Sequence, residues 1–148
     1  MAASATPSTR SESITRASTV SAPVVLLGRF LFALIFVMAG ANHFSSRTIA
    51  FAASQGVPMA SILVPLSGVI SILGALSILL GYRAKFGAWL IVLFLVGVTP
   101  MHKFWGITDP MLQQMQMAMF MKNISMIGAA LLISQFGPGP WNLDARGK

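Results

Sequence analysis

Residues 117–136 read MAMFMKNISMIGAALLISQF. Its 20 residues are apolar apart from Lys122, Asn123 and a few uncharged polar side chains. At a rise of about 1.5 Å per residue, a helix of this length crosses the roughly 30 Å hydrocarbon core of a bilayer. The stretch therefore predicts a membrane-spanning helix that carries one charge.

The lysine inside this span is the most informative residue. An ionisable side chain within a membrane helix costs at least about 2.5 kcal/mol, so such residues usually face a bundle interior, a cavity or a ligand. The only acidic residues are Glu12, Asp109 and Asp144, all outside the apolar segments. Because no carboxylate within the membrane can neutralise Lys122, this residue marks a candidate site.

The overall composition excludes a small soluble domain. Of the 148 residues, 55% are hydrophobic and 9% are charged, which is more apolar surface than a chain of this size can bury. The net charge is +7, but the basic residues lie beside apolar spans, where they set topology. We therefore expect the lipid bilayer as a partner and no nucleic acid. The absence of cysteine excludes disulfides, thiol nucleophiles and thiolate metal sites, and we expect no metal.

Four apolar segments predict an all-α fold, an integral membrane four-helix bundle. The expected spans cover residues 23–41, 59–80, 84–101 and 117–136, within a domain over residues 23–144. Residues 1–22 are rich in Ser, Thr and Ala without apolar periodicity, which predicts a disordered tail. Residues 145–148 form a short C-terminal tail.

The first span has an alternative interpretation as a cleavable signal. Arg29 precedes an apolar run that ends in Ala39-Gly40-Ala41, an A-x-A pattern typical of signal cleavage sites. However, apolar residues on both sides of Arg29 make the segment long enough to span. The three remaining helices would also expose the surfaces that pack against it, so we favour a retained span.

The links between spans predict the topology. Gly81-Tyr82-Arg83 is so short that the second and third spans must form an antiparallel hairpin. Four spans place both termini on one face, which holds six basic residues against two on the other. The positive-inside rule then predicts cytoplasmic termini in a bacterial inner membrane. The six are Arg10, Arg16, Arg83, Lys85, Arg146 and Lys148, and the two are Arg47 and Lys103.

Two further patterns predict local structure. In the outer link over residues 42–58, one side of a short interfacial helix is formed by Phe44, Thr48, Phe51 and Gln55. On the second span, small residues recur at helical spacing, and small residues let membrane helices approach closely. We predict that this packing face contains Ser67, Ser71, Gly74 and Gly81.

Polar residues gather at the outer ends of the spans, because the first and third helices run the same way and the fourth returns. Their donors can bind the carbonyl oxygens of a quinone or the headgroup of a lipid, with Phe and Met around the apolar remainder. A plainer interpretation places them at the water interface, with lysines reaching outward. Arg29 is expected to reach the inner headgroups in the same way. The predicted ligand-binding residues are Asn42, His43, His102, Lys103, Lys122 and Asn123.

Two cofactor alternatives receive less support from the residues. Met115, Met119 and Met126 share a face of the fourth helix, and thioethers with histidine suit Cu(I), but Lys122 lies on the same face and opposes a metal cation. The two outward histidines suggest haem, yet no CxxCH attachment sequence is present. No Walker loop or dinucleotide fingerprint appears either, so catalytic residues are not identified.

Seven motifs follow one another in a recognisable order. They are Gly28-Arg29, Ala39-Gly40-Ala41-Asn42-His43-Phe44, Gly56-Val57-Pro58, the stretch from Gly74 to Gly81, His102, Phe120-Met121-Lys122-Asn123, and the terminal Gly137-Pro138-Gly139-Pro140-Trp141-Asn142-Leu143-Asp144. Together they resemble the DoxX family of small bacterial membrane proteins, over Val24 to Asp144.

This resemblance implies a four-helix membrane protein and a possible role. Some relatives are membrane subunits of a thiosulfate:quinone oxidoreductase or associate with redox-defence proteins. We therefore expect a quinone- or lipid-binding membrane component of a redox assembly, with a redox protein as partner; whether the chain is itself an enzyme stays open. The alternative is a noncatalytic membrane adaptor that recruits a partner near Arg83 and Lys85. Lys122, Asn123 and His102 match family positions, whereas His43 stands where relatives often have a lysine.

The predicted orientation can be tested by cysteine labelling, because the chain has no cysteine of its own. Ser46→Cys and Thr108→Cys should each react with an impermeant thiol reagent in intact cells. Ser8→Cys should react only after the membrane is permeabilised, because the positive-inside rule places the N-terminus in the cytoplasm. The reverse pattern would place the termini outside and contradict the assignment.

Overall fold

The computed structural model describes residues 21–145, so most of the predicted N-terminal tail and residues 146–148 lie outside the described range. Within it the chain is helical and has no strands, which confirms the all-α prediction. A 3-10 turn over Thr99–His102 extends the fourth of the five α-helices. These are α1 (Ala22–Asn42), α2 (Ser46–Ser54), α3 (Ala60–Leu80), α4 (Ala84–Val98) and α5 (Pro110–Phe136).

Four of these elements are long and apolar enough to cross a membrane: α1, α3, α4 with its 3-10 turn, and α5. The first three agree closely with the predicted spans. The fourth helix differs, because it begins at Pro110 rather than Met117. Asp109 caps this earlier start by accepting hydrogen bonds from the backbone N–H groups of Met111 and Leu112 at 2.8 and 3.2 Å. With 27 residues, α5 is about 40 Å long and extends beyond the hydrocarbon.

The short helix α2 packs against the first turns of α3. It begins after Ser45, whose Oγ atom accepts a hydrogen bond from the Thr48 backbone N–H at 3.3 Å. Its buried residue, Ala52, packs with Ala60 and Val64 of α3. The predicted short helix is therefore present in this link, although Phe44 and Gln55 lie just outside its bounds.

Helices α3 and α4 are the two inner helices of the bundle, because α3 packs against α1 and α4, while α4 packs against α3 and α5. Two glycine contacts bring the backbones together. A Cβ atom on Gly40 would lie 2.8 Å from the Gly68 carbonyl oxygen, and one on Gly74 would lie 2.9 Å from that of Gly87. Ser71 is fully buried and donates a hydrogen bond to the Phe36 carbonyl at 2.8 Å. The largest fully buried side chains are Phe36, Ile78, Ile91 and Leu95.

The bundle is open along one side. Helices α1 and α5 have almost no close backbone contact with each other, since each is held mainly by its other neighbours. Residues of both helices nevertheless line two cavities, one toward each end of the bundle.

A C-terminal segment, residues 137–145, folds back across the end of the bundle where α1 begins. The backbone N–H groups of Leu143 and Asp144 donate to the carbonyl oxygens of Leu80 and Gly81 at 3.2 and 3.3 Å. The Asp144 carboxylate accepts a hydrogen bond from the Arg83 backbone N–H at 2.9 Å. The segment therefore ties the end of α3 to the start of α4.

Arg29 corrects one sequence-based expectation. Its side chain was expected to reach the lipid headgroups, but only 5% of the residue is exposed. The Nη2 atom instead donates to the Trp141 carbonyl oxygen at 2.6 Å. The Nη1 atom packs against Gly81: a Cβ atom added to that glycine would lie 2.5 Å from Nη1. The C-terminal segment supplies the partner that the expectation assigned to headgroups.

Close approach at Gly74 should be essential for packing α3 against α4. Gly74→Val should lower the free energy of unfolding by about 1–3 kcal/mol, because the added side chain meets the Gly87 backbone. Thermal unfolding in detergent, followed by tryptophan fluorescence, measures the change. Gly128→Val is the matched control, since a Cβ atom at Gly128 meets no atom within 4 Å. Equal stability of the two variants would show that the glycine contact does not hold these helices together.

Candidate functional site

His43 directly follows α1 and is half-buried. Its Nδ1 atom lies 3.4 Å from Ser67 Oγ, and the Ser67 hydroxyl donates to the Val64 carbonyl oxygen at 2.7 Å. Because the serine proton is already committed, the imidazole donates through Nδ1–H. Burial lowers the pKa of His43, which favours the neutral ring. In that form Nε2 is a hydrogen-bond acceptor.

His102 ends the 3-10 turn that follows α4. Its Nδ1 atom lies 2.9 Å from the side-chain oxygen of Gln116 on α5. An amide oxygen only accepts, so His102 donates this hydrogen bond and its neutral form also leaves Nε2 as an acceptor. The contact joins the 3-10 turn after α4 to the first turns of α5, a role for Gln116 that the apolar pattern did not indicate.

Lys122 and Asn123 lie near the middle of α5 and differ in burial. Asn123 is 4% exposed, whereas Lys122 is exposed and its Nζ atom lies 3.6 Å from Met119 Sδ. The ammonium thus occupies the methionine face on which Cu(I) was considered, and its charge opposes a metal cation there. Within residues 21–145 no group of three or more His, Asp or Glu side chains is placed to hold a metal ion.

The structure brings four of the six predicted ligand-binding residues to one cavity of about 130 Å³. These are His43, His102, Lys122 and Asn123, and apolar residues such as Phe36, Phe94 and Met126 complete the lining. Asn42 is exposed and lines none of the cavities described here. Lys103 lines a separate surface cavity with Gln55, Pro58 and Pro100. Asn42 and Lys103 adjoin His43 and His102 in the sequence, but they do not line this cavity.

A second cavity adjoins the first, and sequence patterns did not indicate it. It has a volume of about 240 Å³, lies between α2, α3 and α4, and is mostly apolar, with Ser67, Thr48 and His43 as its polar residues. Leu63 and Leu93 line it and are 41% and 60% exposed, so the cavity is bordered by lipid-facing side chains.

His43 and Phe94 line both cavities. Their ring centroids are 5.3 Å apart with the planes tilted by 53°. The two rings therefore belong to the lining of both the polar and the apolar cavity, and we call them the His43–Phe94 wall. Ser67, which was assigned to helix packing alone, also positions this wall through its contact with His43.

Four spanning helices around a polar cavity define a small multi-pass membrane protein. The sequence model of the DoxX family matches residues 24–108. This chain belongs to the DoxX family. His102 lies within the matched range, whereas Lys122 and Asn123 follow it.

Two relatives from Escherichia coli (strain K12) extend the similarity over most of the chain. The inner membrane protein YphA is 32% identical over 128 residues, which cover 84% of this chain and 91% of YphA. The inner membrane protein YqjF is 30% identical over 122 residues, which cover 81% and 88% of the two chains. No solved structure gives a significant match. With its four apolar helices, the chain is a multi-pass inner membrane protein.

The buried imidazole of His43 should make stability depend on pH. Its folded-state pKa lies below the ordinary value of about 6.5, so the unfolded chain takes up the proton first as the pH falls. Thermal stability in detergent should therefore decrease below about pH 6.5. His43→Gln should show a smaller decrease between pH 7.5 and 5. An identical pH profile for the variant would show that His43 does not cause the decrease.

Proposed function

We propose that this DoxX-family protein binds a quinone-like or lipidic small molecule in the two adjoining cavities and acts as the membrane component of a redox assembly. One observation carries the proposal: a cavity with lysine, histidine and asparagine side chains shares the His43–Phe94 wall with an apolar cavity. Such a pair suits a ligand with a polar ring or headgroup and an apolar chain.

The volumes of the two cavities suit one polar ring or headgroup and part of one apolar chain. An engineered apolar cavity of about 150 Å³ in another protein holds benzene, so a cavity of about 130 Å³ can take a single ring. The apolar cavity is larger, at about 240 Å³, and can take the adjoining part of a chain. Together they reach the lower part of the range of roughly 300–1,000 Å³ for small-molecule sites.

The polar groups suit both redox forms of a quinone. The Lys122 ammonium donates hydrogen bonds, which a quinone carbonyl oxygen accepts. Both histidines use Nδ1 within the protein, so Nε2 of a neutral imidazole is available to accept a hydrogen bond from a hydroquinone hydroxyl. In this proposal the chain binds and orients the molecule, and a redox partner exchanges electrons with it. The family resemblance is the support for that partner.

The orientation is part of the same proposal. Both cavities lie toward the end of the bundle opposite the C-terminal segment, because they are lined by His43 after α1 and by residues at the end of α4. With cytoplasmic termini, the ligand would enter in the outer half of the bilayer. Leu63 and Leu93 border the route from the lipid.

Ligand binding can be tested with purified protein in mild detergent and a short-chain ubiquinone analogue. Lys122→Met keeps the apolar stem and removes the donor, so the affinity should fall about 10- to 100-fold, as for the loss of a charged hydrogen bond. Gly97→Leu should also abolish binding. Gly97 lines the apolar cavity, and a Cβ atom there meets no atom within 4 Å, so the leucine can fill the cavity without a clash.

Gly128→Leu is the matched control, because Gly128 is equally open and lines neither cavity. It should keep the affinity of the wild type. Mass spectrometry of copurified molecules provides a second readout with the same expected order. If the wild type and Lys122→Met retain the same molecules and bind the analogue equally well, the ligand role of the lysine is wrong and the noncatalytic adaptor replaces it.

A further inference from the structure

Arg29 is a buried cation whose hydrogen-bonding capacity is only partly used. Its Nη2 atom donates to the Trp141 carbonyl oxygen, but Nε and Nη1 are buried and have no hydrogen-bond partner in the described part of the chain. Unsatisfied donors on a buried charged group are among the most destabilising features of a protein interior. A second partner for this guanidinium is therefore expected.

The carboxylates of the described residues do not supply that partner. Asp109 caps α5 at the opposite end of the bundle. Asp144 accepts a hydrogen bond from the Arg83 backbone. Within residues 21–145 the guanidinium thus has a carbonyl oxygen beside it and no bonded anion. The missing partner has the chemistry of an anion with several acceptor oxygens.

Arg29 also lines a cleft of about 340 Å³ between α1 and α5. The other lining residues are uncharged and mostly apolar, among them Val25 and Phe32 of α1 and Leu132 and Ile133 of α5. Leu132 is 60% exposed, and the two helices scarcely pack against each other, so the cleft is open to the bilayer. It combines an apolar channel with a single positive charge.

We propose that this cleft binds one anionic phospholipid, with its phosphate at Arg29 and an acyl chain between α1 and α5. Charge complementarity favours an anionic lipid over a zwitterionic one. The phosphate would neutralise the single cation, whereas an added ammonium group would find no carboxylate in the cleft lining. Free phosphate lacks the chain that the apolar walls would contact.

The site differs from the proposed ligand site in place and chemistry. Arg29 lies toward the start of α1, at the end of the bundle that carries the C-terminal segment, whereas His43 follows the other end of α1. The two proposals therefore stand independently. A variant that fills one cavity should leave binding at the other unchanged.

The experiment compares thermal stability of the purified full chain with added phosphatidylglycerol or phosphatidylcholine of the same acyl chains. Phosphatidylglycerol should raise the melting temperature of the wild type by roughly 5 °C more than phosphatidylcholine at saturating lipid. Gly28→Leu should lose this difference while keeping Arg29. Gly28 lines the cleft, and a Cβ atom there meets no atom within 4 Å, so the leucine occupies the space for the chain.

Four controls make the result specific. Gly128→Leu, on α5 outside the cleft, should keep the full effect. Gly97→Leu should keep it as well, and Gly28→Leu should still bind the ubiquinone analogue, which separates the two sites. Inorganic phosphate alone should leave the melting temperature unchanged.

Native mass spectrometry should show one phosphatidylglycerol retained by the wild type and lost from Gly28→Leu. Equal effects of the two lipids, a full effect in Gly28→Leu, or the same shift with inorganic phosphate would each overturn the proposal.

Discussion

Close contact between helix backbones at glycine holds three long helices of the described chain, α1, α3 and α4, in their order. Lipid chains are as apolar as leucine, so hydrophobicity does not hold membrane helices together, and contact at short range must do so. Gly40 meets Gly68 between α1 and α3, and Gly74 meets Gly87 between α3 and α4. These contacts set the order in which α1, α3 and α4 pack. The two cavities lie beside them, and His43 and Phe94 line both.

The number and order of the spans could be predicted because a bilayer leaves few alternatives for the backbone. The start of α5 could not be taken from hydropathy, since residues 110–116 are polar enough to end the apolar window. The signal for this start was the local sequence: Asp109 precedes Pro110, and an aspartate in that position caps a helix. The burial of Arg29 had no local signal, because its partner is the carbonyl of Trp141, at the far end of the chain.

The candidate site was predictable in part for a related reason. Connectivity places the ends of α1 and α4 beside α5, which brings the two histidines near Lys122 and Asn123. Connectivity does not determine the direction in which each side chain points. Successive residues at a helix end point in different directions, so Asn42 and Lys103 lie outside the cavity. The apolar cavity depends on how α2 lies across α3 and α4, which is a tertiary feature that no spacing of residues encodes.

The hydrogen bond between Arg29 and Trp141 joins residues 112 positions apart, and this separation has a consequence for synthesis. The arginine precedes α3, α4 and α5 in the chain, while its carbonyl partner follows all of them. Until residue 141 has been made, α1 therefore carries a charge without its protein partner. A polypeptide that stops after α5 would contain the four described spans, but the end of the bundle at Arg29 would be incomplete.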